Sequence, residues 1–172
     1  MIWPANLTKA TLTFLCVFMI SGLAIGENLG QPQGPIILTI SGSISNTNGD
    51  GVARFDKEML AAMATSVINT STTWTDGKEK FTGVLGRDLM KAVGASGSKI
   101  HAVAINDYKI TIPVSDFYDY DVILATSMNG KVLSRRDKGP IWIVYPKDDH
   151  PELRNETTDS RWIWQLVKIV VE

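Results

Sequence analysis

Three textures follow one another along the chain. A short polar segment ending at Lys9 gives way to a nearly unbroken apolar stretch from Ala10 to Ile25, and a Gly/Pro-rich lead-in follows at Gly30, Pro32, Gly34 and Pro35. Beyond it, Ile36 to Ile44 alternates in polarity and is rich in β-branched residues, the two-residue period of a half-buried strand; the Ser45–Gly51 cluster then predicts a turn. Asp56 is placed to cap a short helix with Met59, Leu60 and Met63 on one face, and Ser66 to Trp74 reads as the next strand. A second short helix is predicted over Leu85 to Val93, ended by Gly94. Lys99–Asn106, Lys109–Ile112, Val122–Ser127, Ile141–Tyr145 and Trp164–Val171 all have strand character. Asn129-Gly130 predicts a tight hairpin turn, because both residues tolerate positive φ. The polar, Pro-containing stretch Lys147–Ser160 reads as a surface loop. Strands outnumber helices, and the predicted class is α+β: strand-rich mixed or antiparallel sheets with short helices.

The opening stretch changes where this domain is expected to work. Lys9 and the free amine make a positive end, and the apolar run is interrupted by Thr11, Thr13, Ser21 and Gly22, so a stable span of ~20 residues is not expected. Ala24 and Gly26 put small side chains where a signal peptidase reads them. The sequence therefore predicts a secretory signal over residues 1–26 and one domain over 27–172, delivered to the periplasm or the extracellular medium. A chain of roughly 150 residues buries about 70% of its unfolded surface, which needs no disulfide or metal. The only cysteine, Cys16, lies inside the signal and follows Thr13, Phe14 and Leu15, a context that does not predict lipidation. Residues 27–172 hence carry no thiol for disulfides, nucleophilic catalysis or thiolate ligation. The formal charge of −1 excludes the basic balance of a nucleic-acid binder and gives no attraction to an anionic membrane.

Individual clusters carry little chemistry. A Ser-His-Asp hydrolase needs a presented histidine, and of the two present, His101 falls within an alternating strand while His150 sits in Asp148-Asp149-His150-Pro151-Glu152, whose adjacent side chains do not converge easily on one metal ion. Asn46–Gly51 spaces oxygen donors like the front of a calcium loop, yet its twelfth position is Lys57 where a bidentate glutamate is needed, so an Asn/Gly turn is predicted. N-glycosylation sequons occur at Asn69 and Asn155 and matter only in a eukaryotic secretory route. Trp74, Trp142, Trp162 and Trp164 either anchor the core and its loops or stack on a planar ligand.

The order of local patterns says more than any one of them. Trp74, Phe81-x-Gly83-Val84 leading into Asp88-Leu89-Met90, Asn106-Asp107-Tyr108 with Ile112-Pro113, Asp121-x-Ile123-Leu124-Ala125, Asn129-Gly130, Gly139-Pro140 and Tyr145-Pro146 together resemble the oxidoreductase molybdopterin-binding domain of the sulfite oxidase family. The resemblance runs from about Ile36 to Val171. It implies a mixed α+β domain, molybdopterin as the cofactor, and molybdenum held by the pterin sulfurs plus one cysteine a few residues before the first tryptophan. Here that region reads Asn69-Thr70-Ser71-Thr72-Thr73-Trp74, without a thiolate, and a hydroxyl is a harder donor of high pKa. Trp142 stands where the family tends to have an arginine after Gly-Pro; Arg135, Arg136 and Lys138 lie just upstream.

The resemblance places the pocket near Thr70, Ser71 and Trp74, walled by Asn106, Asp107, Tyr108, Arg135, Arg136, Lys138 and Trp142. The expectation is an exported domain that keeps the fold, lacks the cysteine ligand, and binds a small planar or anionic ligand or an extracytoplasmic protein partner, in a sensing or accessory role. The alternative is an active molybdopterin-dependent oxidoreductase with Thr70 or Ser71 at the metal, the cofactor supplying the reactivity. A structural domain without a small-molecule site is the third possibility.

Overall fold

The computed structural model describes residues 29–172. The predicted export signal over 1–26, with Cys16, lies outside the described residues. Two five-stranded sheets pack around one core. In the first, β1 (Leu38–Gly42) lies between β2 (Ala53–Phe55) and β10 (Leu166–Val171), and β10 continues to β5 (Lys99–Ala104) and β6 (Lys109–Pro113). β1 and β10 are parallel, with Ile40 opposite Ile169; the other pairs are antiparallel. In the second sheet, β3 (Thr65–Ser71) pairs with β4 (Lys78–Leu85), and β4 with β7 (Ile123–Met128). The far edge of β7 is shared by β9 (Trp142–Val144), which sets Trp142 opposite Ala125, and β8 (Lys131–Val132).

Four short α-helices link these strands: α1 (Lys57–Ala62), α2 (Gly86–Ala92), α3 (Asp116–Asp119) and α4 (Glu156–Asp159). Asp56 caps α1 as predicted, accepting from the Met59 amide at 2.8 Å. Its other oxygen accepts from the amides of Gln33 and Gly34 at 2.7 and 2.9 Å, fixing the lead-in to the domain. The α2 helix ends at Gly94, whose φ of +60° is the left-handed conformation a helix terminus favours. Asn129 and Gly130 both have positive φ, 51° and 76°, and join β7 to β8.

The alternation seen in sequence sets the core. Leu38, Ile40, Ile100, Ala102, Ile112 and Ile169 turn inward from the first sheet; Phe81, Val84, Ile123, Leu124, Trp142 and Val144 come from the second. β4 packs close to β7: a Cβ on Gly83 would lie 2.0 Å from the Leu124 carbonyl oxygen, so only glycine fits. Several segments differ from expectation, β2 and α3 being elements the sequence pattern does not predict. β4 was expected only as a motif, because Lys-Glu-Lys at its start hides the alternation of an amphipathic strand. β3 stops at Ser71, where Thr72 leaves the sheet and its hydroxyl accepts from the Trp74 amide at 3.0 Å. Lys147–Ser160, expected as a loop, folds into a 3₁₀ turn (Pro151–Leu153) and α4, and buries Leu153 and Thr158.

Candidate functional site

The tryptophans converge because four short elements end in the same place. Trp74 sits in the turn after β3, Trp142 begins β9, and Trp162 and Trp164 flank Ile163 between α4 and β10. The ring of Trp74 lies 5.2 Å from that of Trp164, 6.2 Å from Trp162 and 6.4 Å from Trp142, at interplanar angles of 77°, 49° and 62°. Trp142 is fully buried and meets Phe81 edge-on at 5.3 Å, which ties the cluster to the core. Trp162 stacks on buried Tyr145 at 28°. Such inclined aromatic contacts contribute ~0.5–1.5 kcal/mol each beyond the area they bury.

A cavity of about 290 Å³ opens beside this cluster, lined by Trp74, Ala104, Asn106, Tyr108, Asp159, Ser160, Trp162, Ile163 and Trp164. The β5–β6 turn forms one wall. There Asp107 takes a φ of 64°, its amide bonded to the Ala104 carbonyl at 3.1 Å, while the Asn106 side chain accepts from the Tyr108 amide at 3.2 Å. Opposite, Asp159 is held by Lys147 at 2.7 Å and by the Thr73 hydroxyl at 3.1 Å, which binds α4 to the Trp74 turn. The buried Nε1 atoms of Trp142 and Trp162 have no hydrogen-bond partner among the described residues.

Of the residues the resemblance placed at the pocket, Trp74, Asn106 and Tyr108 line the cavity, and Trp142 and Lys138 belong to its aromatic support. Lys138 Nζ lies 5.4 Å from the Trp142 ring centre and 5.6 Å from that of Trp164. Asp107 shapes the turn without lining the cavity. Arg135 and Arg136 are exposed, and the Arg135 carbonyl accepts from Gln165 at 2.9 Å. Thr70 and Ser71 point to different work. The Ser71 hydroxyl donates to Asp148 Oδ1 at 2.7 Å, its amide donates to Oδ2 at 3.1 Å, and the Asp148 amide donates to the Thr70 hydroxyl at 3.2 Å. Lys78 completes the clamp at 3.1 Å from Asp148. The Ser71 hydroxyl, with the Lys78 ammonium next, holds the Asp148 carboxyl below the usual carboxylate range. Ser71 lines a second, more open cleft of about 450 Å³ with Gly77, Lys78, Lys147, Asp148 and Arg154.

Asp159, Ser160, Trp162 and Trp164 were not among the predicted wall residues. Trp162 and Trp164 carried a signal of their own, as two of the four tryptophans able to stack on a planar ligand, whereas Asp159 and Ser160 carried none. Beneath them, Asp116 on α3 accepts from Tyr145 Oη at 2.8 Å and from Arg161 Nη1 at 2.7 Å. Burial, followed by the negative charge of Asp116, raises the Tyr145 phenol well above its ordinary pKa and keeps it a neutral donor.

The cysteine ligand that the resemblance implies for molybdenum has no counterpart among the described residues. No thiol lies among the described residues, the Thr70 and Ser71 hydroxyls are engaged in the Asp148 clamp, and no group of three potential His, Cys, Asp or Glu ligands occurs among the described residues. The cavity has no cationic lining side chain to receive a pterin phosphate. Its volume is also at or below the ~300–1,000 Å³ of pockets for drug-sized ligands.

Comparison with known proteins agrees with the fold. Residues 53–148 match the family described as oxidoreductase molybdopterin binding domain. The fold is similar to that of the sulfane dehydrogenase SoxCD from Paracoccus pantotrophus, with a TM-score of 0.57 and 18% identity over 78% of this chain. The chain spans 37% of that SoxCD chain. No curated protein matches the sequence.

Proposed function

Because this chain belongs to the family of oxidoreductase molybdopterin-binding domains, we propose that it is an exported member that binds a small ligand in its tryptophan-walled cavity, without cysteine-ligated molybdenum. The observation that carries this reading is the cavity itself: apolar and aromatic walls with a few convergent polar groups at Asn106, Asp159 and Ser160. That is the usual make-up of a small-molecule site. The engagement of Thr70 and Ser71 with Asp148 supports binding over a redox centre at those hydroxyls. Residues 1–26 support export, and a binding domain outside the cytoplasm suits a sensing or accessory role.

The test is intrinsic tryptophan fluorescence of the full chain, recovered from the exported fraction, titrated with a library of small metabolites. Saturable changes in Trp emission, lost in Trp74→Leu, are expected, along with a mature N-terminus near Glu27. A library that leaves the emission and the thermal midpoint unchanged contradicts the binding reading.

A further inference from the structure

We infer that the cavity takes a small organic cation of the quaternary-ammonium class, an ammonium shielded by methyl groups and carrying a short hydroxyl arm, as in choline. This rests on the binding reading above and names the ligand's chemistry.

Three features of the cavity point the same way. The first is shape. Relative to Trp74, the rings of Trp162 and Trp164 are inclined by 49° and 77°, so the walls form a corner. A flat heterocycle is best held between parallel faces, whereas a compact, rounded methyl shell meets several inclined faces at once. The second is charge. Among the nine lining residues the only charged side chain is Asp159, and none is Lys, Arg or His. An anion would face a carboxylate and electron-rich rings without a counter-charge. The ring faces of Trp, and less strongly Tyr, attract cations, and Trp74, Tyr108 and Trp164 supply three such rings, with buried Trp162 behind them. The third is a precedent inside the molecule: Lys138 already rests its ammonium against Trp142 and Trp164, at 5.4 and 5.6 Å from the ring centres.

Two cations flank the site and set its limits. Lys147 lies 2.7 Å from Asp159, and Lys138 lies 3.3 Å from Asp137, so each positive charge is matched by a carboxylate. Asp159 is thus partly neutralised, with the Thr73 hydroxyl on its other oxygen. The rings therefore carry most of the preference for a cation, and Asp159 a smaller part. The hydroxyl arm finds its polar partners among the lining side chains of Asn106 and Ser160.

The experiment compares choline with its neutral carbon isostere, 3,3-dimethylbutan-1-ol, by calorimetric titration of the full chain. The two have nearly the same shape and the same hydroxyl, so their difference isolates the charge. Choline is expected to bind at least about tenfold more tightly, the scale of one desolvated cation–π contact or more. Trp74→Leu, at a position 37% exposed and hence tolerant of change, is expected to remove this preference, and Trp74→Phe to restore part of it. Asp159→Asn is expected to weaken choline about two- to fivefold, as for a partly screened ion pair, and to leave the isostere unchanged. Equal affinity for the two compounds overturns the cation assignment while leaving a ligand-binding cavity. Binding of neither overturns it as well, and the fluorescence screen then decides separately whether the cavity binds anything. Choline affinity unchanged in a folded Trp74→Leu protein places the cation elsewhere and also overturns the assignment.

Discussion

Replacing Tyr145 with phenylalanine removes one oxygen atom from the support of the cavity. Tyr145 is fully buried on the segment after β9, its hydroxyl 2.8 Å from Asp116, and its ring stacks on Trp162. Asp116 keeps Arg161 as a partner at 2.7 Å, so the variant loses one hydrogen bond to an ionised acceptor without stranding the carboxylate. Such a bond contributes ~1.5–3 kcal/mol. With a urea m-value of ~2 kcal/mol/M the unfolding midpoint falls by about 1 M, m itself being unchanged. The corresponding loss in Tm is roughly 3–12 °C, at ~2–4 °C per kcal/mol for a chain of this size. Tyr118→Phe, at a position 46% exposed, is the control and is expected to stay within ~0.5 kcal/mol of wild type. Because the ring stack on Trp162 survives, ligand affinity of the folded variant stays near wild type. A Tyr145→Phe midpoint equal to that of Tyr118→Phe refutes the view that the Asp116 network holds this wall in place.

Further consequences concern packing and pH. Trp142→Ala removes the fully buried base of the tryptophan cluster and is expected to cost ~3–5 kcal/mol in urea unfolding; a loss below 1 kcal/mol contradicts the packing described. Gly83→Ala drives a Cβ to 2.0 Å from the Leu124 carbonyl, so the β4–β7 pair must separate; an alanine variant as stable as wild type contradicts that contact. The Asp148 carboxyl titrates below its ordinary value, chiefly through Ser71 and Lys78. Its lowered folded pKa means its stabilisation is fully present above the unfolded value of about 3.9 and is lost as pH falls through the folded one. Asp148→Asn is expected to flatten the stability profile below about pH 4, and an unchanged acid slope contradicts the clamp.

Much of the sheet architecture is legible in the sequence because exposure alternates along its strands. Within Ile36–Ile44 and Lys99–Asn106 every second residue turns inward, and the structure buries Leu38, Ile40, Ile100, Ala102 and Ala104 while leaving Ile36 and Ile105 exposed. Local chemistry is equally readable where one residue decides it: Asp56 as a cap, Gly94 as a terminator, Asn129-Gly130 as a hairpin. The missing pieces depend on contacts distant in sequence. Lys78-Glu79-Lys80 looks like a loop until β3 and β7 pair on either side of it. The cavity wall was hidden for a similar reason. Nothing local in Asp159-Ser160-Arg161-Trp162 shows that α4 is held to the Trp74 turn by Thr73 and Asp159, 86 residues apart. Thr70 and Ser71 were expected at the pocket from their place before Trp74, but their hydroxyls had a nearer partner in Asp148, 77 residues from Ser71.

The most direct test of the account is the molybdenum and pterin content of the full chain, produced with molybdate supplied and purified without chelator. Elemental analysis gives metal per chain, and fluorescence after oxidative release gives pterin. The account predicts neither above background, under conditions that load a cysteine-bearing member of the family. Near-stoichiometric molybdenum with pterin would contradict it and direct attention to the Thr70 and Ser71 hydroxyls, now held in hydrogen bonds.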